Sequence, residues 1–319
     1  MNSSKSRRGF KWLTIITVTI VFTLVTTLLI SNWNDLISFP WHLNLGYLIL
    51  TLVFQSIALG VTFLVWHLMV VRLCGFDDLA ADFRFYYVST LAKRVPMSVW
   101  YIGGRVVMYK QAGVSGLGIL NGILFENVLI AVAGILTFVV FLPFYSGVPT
   151  VAALPIAVGG AVSILILLAR PRIFLELTNA VLRKFHRQEL TSLPGRRDIL
   201  IWTGIYVLPW LFAGLGLYCA TRAFSDGGAP GLVDSIGIST LTMLIALISM
   251  ILPGGFGLKE LTSGILLSKW MPLTAALVIT VAYRLLQTGN EVVWAIFAST
   301  FVRRPGFTNR KQYKGVIED

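Results

Sequence analysis

Charge is scarce in this 319-residue sequence: 13% of it is Asp, Glu, Lys or Arg, against 56% hydrophobic residues and a mean hydropathy of +0.80. That balance excludes an ordinary soluble domain and fits a polytopic chain whose solvent is the bilayer. Cysteine is nearly absent. Cys74 and Cys219 sit beside or within apolar segments without ligand spacing, which excludes a disulfide framework and leaves them as packing residues. The histidines, His42, His67 and His186, are scattered, with no Cys or carboxylate at metal spacing, so neither a metal nor a cofactor is expected. Also missing are a G-x-x-x-x-G-K-S/T phosphate loop, an H-E-x-x-H pair and a nucleophile elbow. Nothing here hydrolyses a nucleotide, so any transport is passive or ion-coupled.

What is abundant is apolar sequence in runs of the ~17–25 residues that cross ~30 Å of hydrocarbon. Six segments read as full crossings: about 12–30, 45–71, 117–142, 149–169, 199–222 and 272–300. The basic flank MNSSKSRRGFKW resembles the start of a signal peptide. The apolar run after it is too long for one, however, and SNWND offers no small-residue cleavage site, so it is expected to stay as the first crossing. No segment remains for a separate soluble domain, and residues 1–319 are expected to form one embedded domain.

Lys and Arg set the orientation. The first tail carries Lys5, Arg7, Arg8 and Lys11, whereas 31–44 has none. Arg72 and Arg84 return in 72–84, 143–148 has none, and 170–198 has seven basic residues. Segment 223–233 again has none, and five follow residue 300. Both termini are therefore expected on the cytoplasmic side.

The alternation leaves 85–111 and 234–270 unable to cross fully. The first has Pro96 near its middle and Gly103–Gly104 before Arg105; the second breaks at Pro253, Gly254 and Gly255. Both are expected to be re-entrant helical hairpins. The order helix, helix, hairpin, helix then occurs twice, over about 12–142 and about 149–300, as an inverted repeat of the kind that places a transporter's binding site. Backbone freed by Pro and Gly at membrane depth is tolerated only where it is buried in protein or lines a wet cavity, so a cavity between the hairpins is expected. The segment 170–198 is expected on the cytoplasmic leaflet, with an amphipathic helix over 170–190.

Ionisable side chains at membrane depth cost roughly 2.5–3.5 kcal/mol at a helix centre, so the few present are functional candidates. Arg105, after two glycines, suits a phosphate headgroup; it can equally pair with Glu126 or Glu260. Lys259 and Glu260 fall at the start of a helix arm, where the dipole favours an anion. Glu260 can instead cap its own helix or neutralise Arg284, which lies deep in the last crossing. Lys93 and Arg94 can form the mouth of a basic funnel or snorkel to lipid phosphates. DDLAAD, 77–82, is read as a helix start, with Asp77 and Asp78 capping free amides.

The stretches VPMSVWYIGGRVVMYKQAGVS (95–115) and LPGGFGLKE (252–260), followed by Arg284, resemble motifs of the flippase-like family that includes the transmembrane region of lysylphosphatidylglycerol synthases. Pro96, Trp100, Gly104, Arg105, Pro253, Gly254, Gly255, Gly257, Glu260 and Arg284 match that pattern, while Met97 stands where the family has glycine. The resemblance implies a protein of a bacterial or archaeal cytoplasmic membrane that moves aminoacylated phospholipids or lipid-linked sugars between leaflets. It does not extend to the domain that makes lysyl-lipid, so aminoacyl transfer is not implied.

The leading expectation is thus a non-enzymatic lipid flippase or transporter. Arg105, Lys259, Glu260, Arg284, Lys93, Arg94, Trp100, Gly104, Gly254 and Gly255 are its candidate substrate-binding residues. Its expected partners are the bilayer, an anionic or modified lipid and a lipid-modifying enzyme, not nucleic acid. One alternative is a membrane-embedded lipid transferase, with Glu260 or Glu126 as base and Asp77, Asp78 and Asp82 around a metal. The other is a non-catalytic membrane partner of a glycosyl- or aminoacyl-transferase.

Overall fold

The computed structural model describes residues 33–91, 99–144, 194–225, 228–249 and 258–301, with isolated positions near 23–31 and 155–162. The described residues are helical, apart from short connections and one isolated β-bridge. In chain order they form α1 (Trp33–Ser38), α2 (Leu45–Cys74), α3 (Leu79–Leu91), α4 (Val99–Gln111), α5 (Gly116–Phe141), α6 (Arg196–Phe224), α7 (Leu232–Ser249), α8 (Leu258–Leu267) and α9 (Leu273–Phe301).

The 30 residues of α2 rise about 45 Å, more than the ~30 Å of a hydrocarbon core. With α5 and α6, α2 is long and apolar enough to cross a membrane. Helix α9 matches α6 in length at 29 residues. It is not among the helices with an uninterrupted apolar run of that length, and Arg284, Gln287, Asn290 and Glu291 fall around and after its middle. The expected crossings at 12–30 and 149–169, the amphipathic segment 170–198, and the breaks at Pro96 and Pro253–Gly255 lie wholly or largely outside the described residues.

Local chemistry sets the ends. The Asn44 side chain accepts from the amides of Gly46 and Tyr47 (3.0 and 3.3 Å) and opens α2. Gly75, at φ 65°, closes α2 in the left-handed conformation that Cβ-bearing residues avoid. Asp78 Oδ1 accepts from Ala81 N at 2.9 Å, the cap expected for DDLAAD, so α3 begins at Leu79 and not at 85. Gly103 and Gly104 do not loosen the backbone: α4 runs through both, since an internal glycine costs a helix only about 1 kcal/mol.

The chain divides into two compact units: residues 1–57, 134–159 and 210–287, and residues 58–133, 160–209 and 288–319. Each of α2, α5, α6 and α9 contributes residues to both.

In the first unit, α7 packs on α8. Its core is made largely of small and aliphatic residues, among them Leu217, Ala220, Ile238, Leu267, Ala275, Ala276 and Ile279. Close approach is built in: a Cβ on Gly214 would lie 2.6 Å from the Ile236 backbone, and one on Gly264 would lie 2.5 Å from Leu277. Such small-residue contacts pack helices where lipid removes the hydrophobic drive to associate. A backbone clasp joins distant segments, with His42 N donating to Phe224 O, Asn44 N to Ala223 O, and Trp41 bridged to Ser225.

In the second unit, α3 packs on α4 around an aromatic core that includes Phe63, Trp66, Phe76, Phe85, Tyr86, Tyr101 and Tyr109. The turn after α4 is a Schellman motif, with Gly113 N donating to Lys110 O and Val114 N to Tyr109 O.

Candidate functional site

Two clusters hold the polar chemistry of the described residues, one in each unit. In the second unit, Arg105 on α4 is fully buried. Its NH1 donates to Glu126 Oε2 on α5 at 2.9 Å, and its Nε donates to Ser89 Oγ on α3 at 3.0 Å. The guanidinium centre lies 4.4 Å from the ring centroids of both Trp66 and Tyr86, and 5.8 Å from that of Tyr101. Aromatic faces attract a desolvated cation by about 2 kcal/mol, which suits NH2, a nitrogen without a hydrogen-bond acceptor. The cage continues outward: Trp66 Nε1 donates to Tyr109 Oη (2.8 Å) and to Asp82 Oδ1 (3.2 Å), and Asp82 Oδ2 lies 2.7 Å from His67 Nδ1.

In the first unit, α6, α7, α8 and α9 line a small pocket with a cavity volume of about 30 Å³. Lys259, Glu260 and Arg284 line it with Gln287 and the hydroxyl residues Ser239, Thr242, Ser263 and Thr280. Arg284 donates from NH1 to Glu260 Oε1, and Lys259 Nζ donates to Gln287 Oε1 at 3.3 Å. Glu260 Oε2 is buried without a hydrogen-bond donor. Glu260 sits in the first turn of α8, where the helix dipole favours its charge. The pocket carries two cations and one carboxylate, with hydroxyl and amide donors set among Ala213, Leu217, Met243 and Tyr283, and this net positive charge suits an anionic group.

Of the candidate residues, Lys259, Glu260 and Arg284 come together on this pocket. Arg105 belongs to the second unit, in its aromatic cage and paired with Glu126, and the described residues give it no exposed face. Trp100 and Gly104 lie on α4; an added Cβ on Gly104 would meet open space. Lys93, Arg94, Gly254 and Gly255 lie outside the described residues. The acids of the transferase alternative do not gather round a metal site: Asp78 caps α3, Asp82 is buried against His67 and Trp66, and the Asp77 side chain is 78% exposed. No metal-binding group of three His, Cys, Asp or Glu occurs among the described residues.

Sequence reasoning missed the hydroxyls of the pocket and the Trp66–Asp82–His67 chain. Ser239, Thr242, Ser263 and Thr280 are unremarkable singly, and only helix packing aims them at one space. When the chain is compared with protein-family models and with curated proteins, none matches.

Proposed function

We propose that this chain is an integral membrane lipid flippase or transporter. It moves an anionic or modified lipid, an aminoacylated phospholipid or a lipid-linked sugar, between leaflets without chemical change. The observation that carries the reading is the pocket of the first unit, where Lys259 and Arg284 meet Glu260, Gln287 and four Ser and Thr side chains among apolar residues, inside a strongly apolar chain. An anionic headgroup meets a net positive charge there. Glu260 holds Arg284 in place and moderates that charge, leaving binding favourable enough for entry and weak enough for release.

The order of elements supports an inverted repeat. Helix α2 passes from first-unit to second-unit residues, the α3–α4 pair follows within the second unit, and α5 passes back. Helix α6 then passes from second to first, the α7–α8 pair lies within the first unit, and α9 passes back. The same sequence of parts thus runs twice in opposite senses, as in transporters built from re-entrant hairpins. The reading adopts the resemblance to the flippase-like family, a cytoplasmic membrane location and cytoplasmic termini.

The test is leaflet exchange in proteoliposomes, with fluorescent anionic, aminoacylated and polyprenyl-phosphate lipids. Wild type is expected to exchange one class selectively, and Lys259→Ala, with folding retained, to lower that rate at least tenfold. Folded wild-type protein that exchanges none of them overturns the proposal and favours the transferase or partner readings.

A further inference from the structure

The second unit holds a charge imbalance that a single proton corrects. Asp82 is fully buried, and Arg105, whose guanidinium lies over the Trp66 ring, is already paired with Glu126. A buried carboxylate without a countercharge is costly. The cation within reach is the imidazolium of His67, whose Nδ1 lies 2.7 Å from Asp82 Oδ2. Arg105 and Glu126 cancel, so Asp82 is balanced only when the His67–Asp82 pair carries a proton. Aqueous access exists as well: His67 Nε2 faces Asp77 Oδ1 at 3.8 Å, and that carboxylate is largely exposed, whereas the His67 side chain is 13% exposed.

We propose that His67 and Asp82 form a proton-binding site, filled from water past Asp77, whose occupancy sets how firmly α3 is held to α2. The geometry ties the site to both helices. His67 stands two turns before the end of α2, and Asp82 lies in the first turn of α3. Trp66, next to His67, links Asp82 to Tyr109 of α4 through its shared N–H. The charged and titratable groups around the pair are Asp77 and Asp78 before α3, Cys74 at the end of α2, and Tyr109 and Arg105 of α4. Loss of the proton leaves Asp82 a buried carboxylate facing a neutral imidazole, a cost that falls on the folded contact. The α2–α3 contact is therefore tighter with the proton bound and looser as pH rises through the titration of His67. The inference stands independently of lipid transport.

The test uses the full chain purified in detergent. With three histidines in the sequence, nitrogen-15 histidine NMR resolves His67 as the signal lost in His67→Gln. That imidazole is expected to change protonation state within the pH range in which the protein stays folded. Opening of the α3 amides, measured by hydrogen exchange corrected for its intrinsic pH dependence, is expected to rise about five- to tenfold across the titration. In His67→Gln, which keeps a hydrogen bond to Asp82 without a titrating group, opening should be flat with pH. An imidazole that holds one state across that range overturns the proposal, as does an unchanged pH profile in His67→Gln. Should the variant fail to fold, the wild-type titration still decides.

Discussion

The Arg105–Glu126 and Glu260–Arg284 pairs share a plan and differ in outcome. In each, the second arm of a short helix pair is joined by an Arg–Glu contact to the long helix that follows, over 21 residues in one case and 24 in the other. The polarity is reversed: the arm supplies Arg105 in the second unit and Glu260 in the first. The surroundings differ more. Trp66, Tyr86 and Tyr101 close over Arg105 and leave it 0% exposed, whereas serines, threonines and Gln287 leave Arg284 30% exposed. An ion pair sealed by aromatic rings acts as a fastener, while the same pair among small polar residues can exchange partners with a ligand.

The comparison breaks most readily at Arg105. Arg105→Ala leaves Glu126 buried and uncompensated, a loss expected at about 3–5 kcal/mol, read as a large fall in melting temperature in detergent or as failure to accumulate. Arg284→Ala is expected to cost less than that, since Arg284 itself is 30% exposed and the pair is open to solvent on that side, although Glu260 is buried. Equal losses would erase the distinction.

Between these in size lies a contrast of glycines. Gly214→Ala drives a Cβ against the Ile236 backbone and is expected to cost about 1–3 kcal/mol, whereas Gly104→Ala enters open space and is expected to be neutral or stabilising by up to about 1 kcal/mol. Thermal unfolding of the two variants side by side checks the pair. The smallest expected change is in Lys259→Ala, whose stability should stay within about 0.5 kcal/mol of wild type, so that a loss of the proposed lipid exchange reports on the pocket and not on folding.

The long apolar helices were legible because lipid demands uninterrupted runs, and α2, α5 and α6 follow them to within a few residues. The cap at Asp78 was legible from local chemistry, and Glu260–Arg284 and Arg105–Glu126 were both named as pairings open to those residues. The choice among the pairings was hidden, because it depends on which helices pack together. Gly103–Gly104 misled because a glycine pair marks a break only when the surroundings ask for one, and α4 asks for none. The partner of His67 was invisible for the same reason as the pocket hydroxyls: Gly75 and the Asp78 cap turn the chain so that α3 brings Asp82 beside it, and spacing alone does not report that turn.

The clasp between residues 41–44 and 223–225 also bears on how the chain is made. Synthesis proceeds from the amino end, so the acceptors at Ala223 and Phe224 do not exist until most of the chain has been translated. Until then the start of α2 has local hydrogen bonds such as the Asn44 cap. A helix that enters the bilayer early is thus fastened late, and the first unit closes only after α6 has arrived.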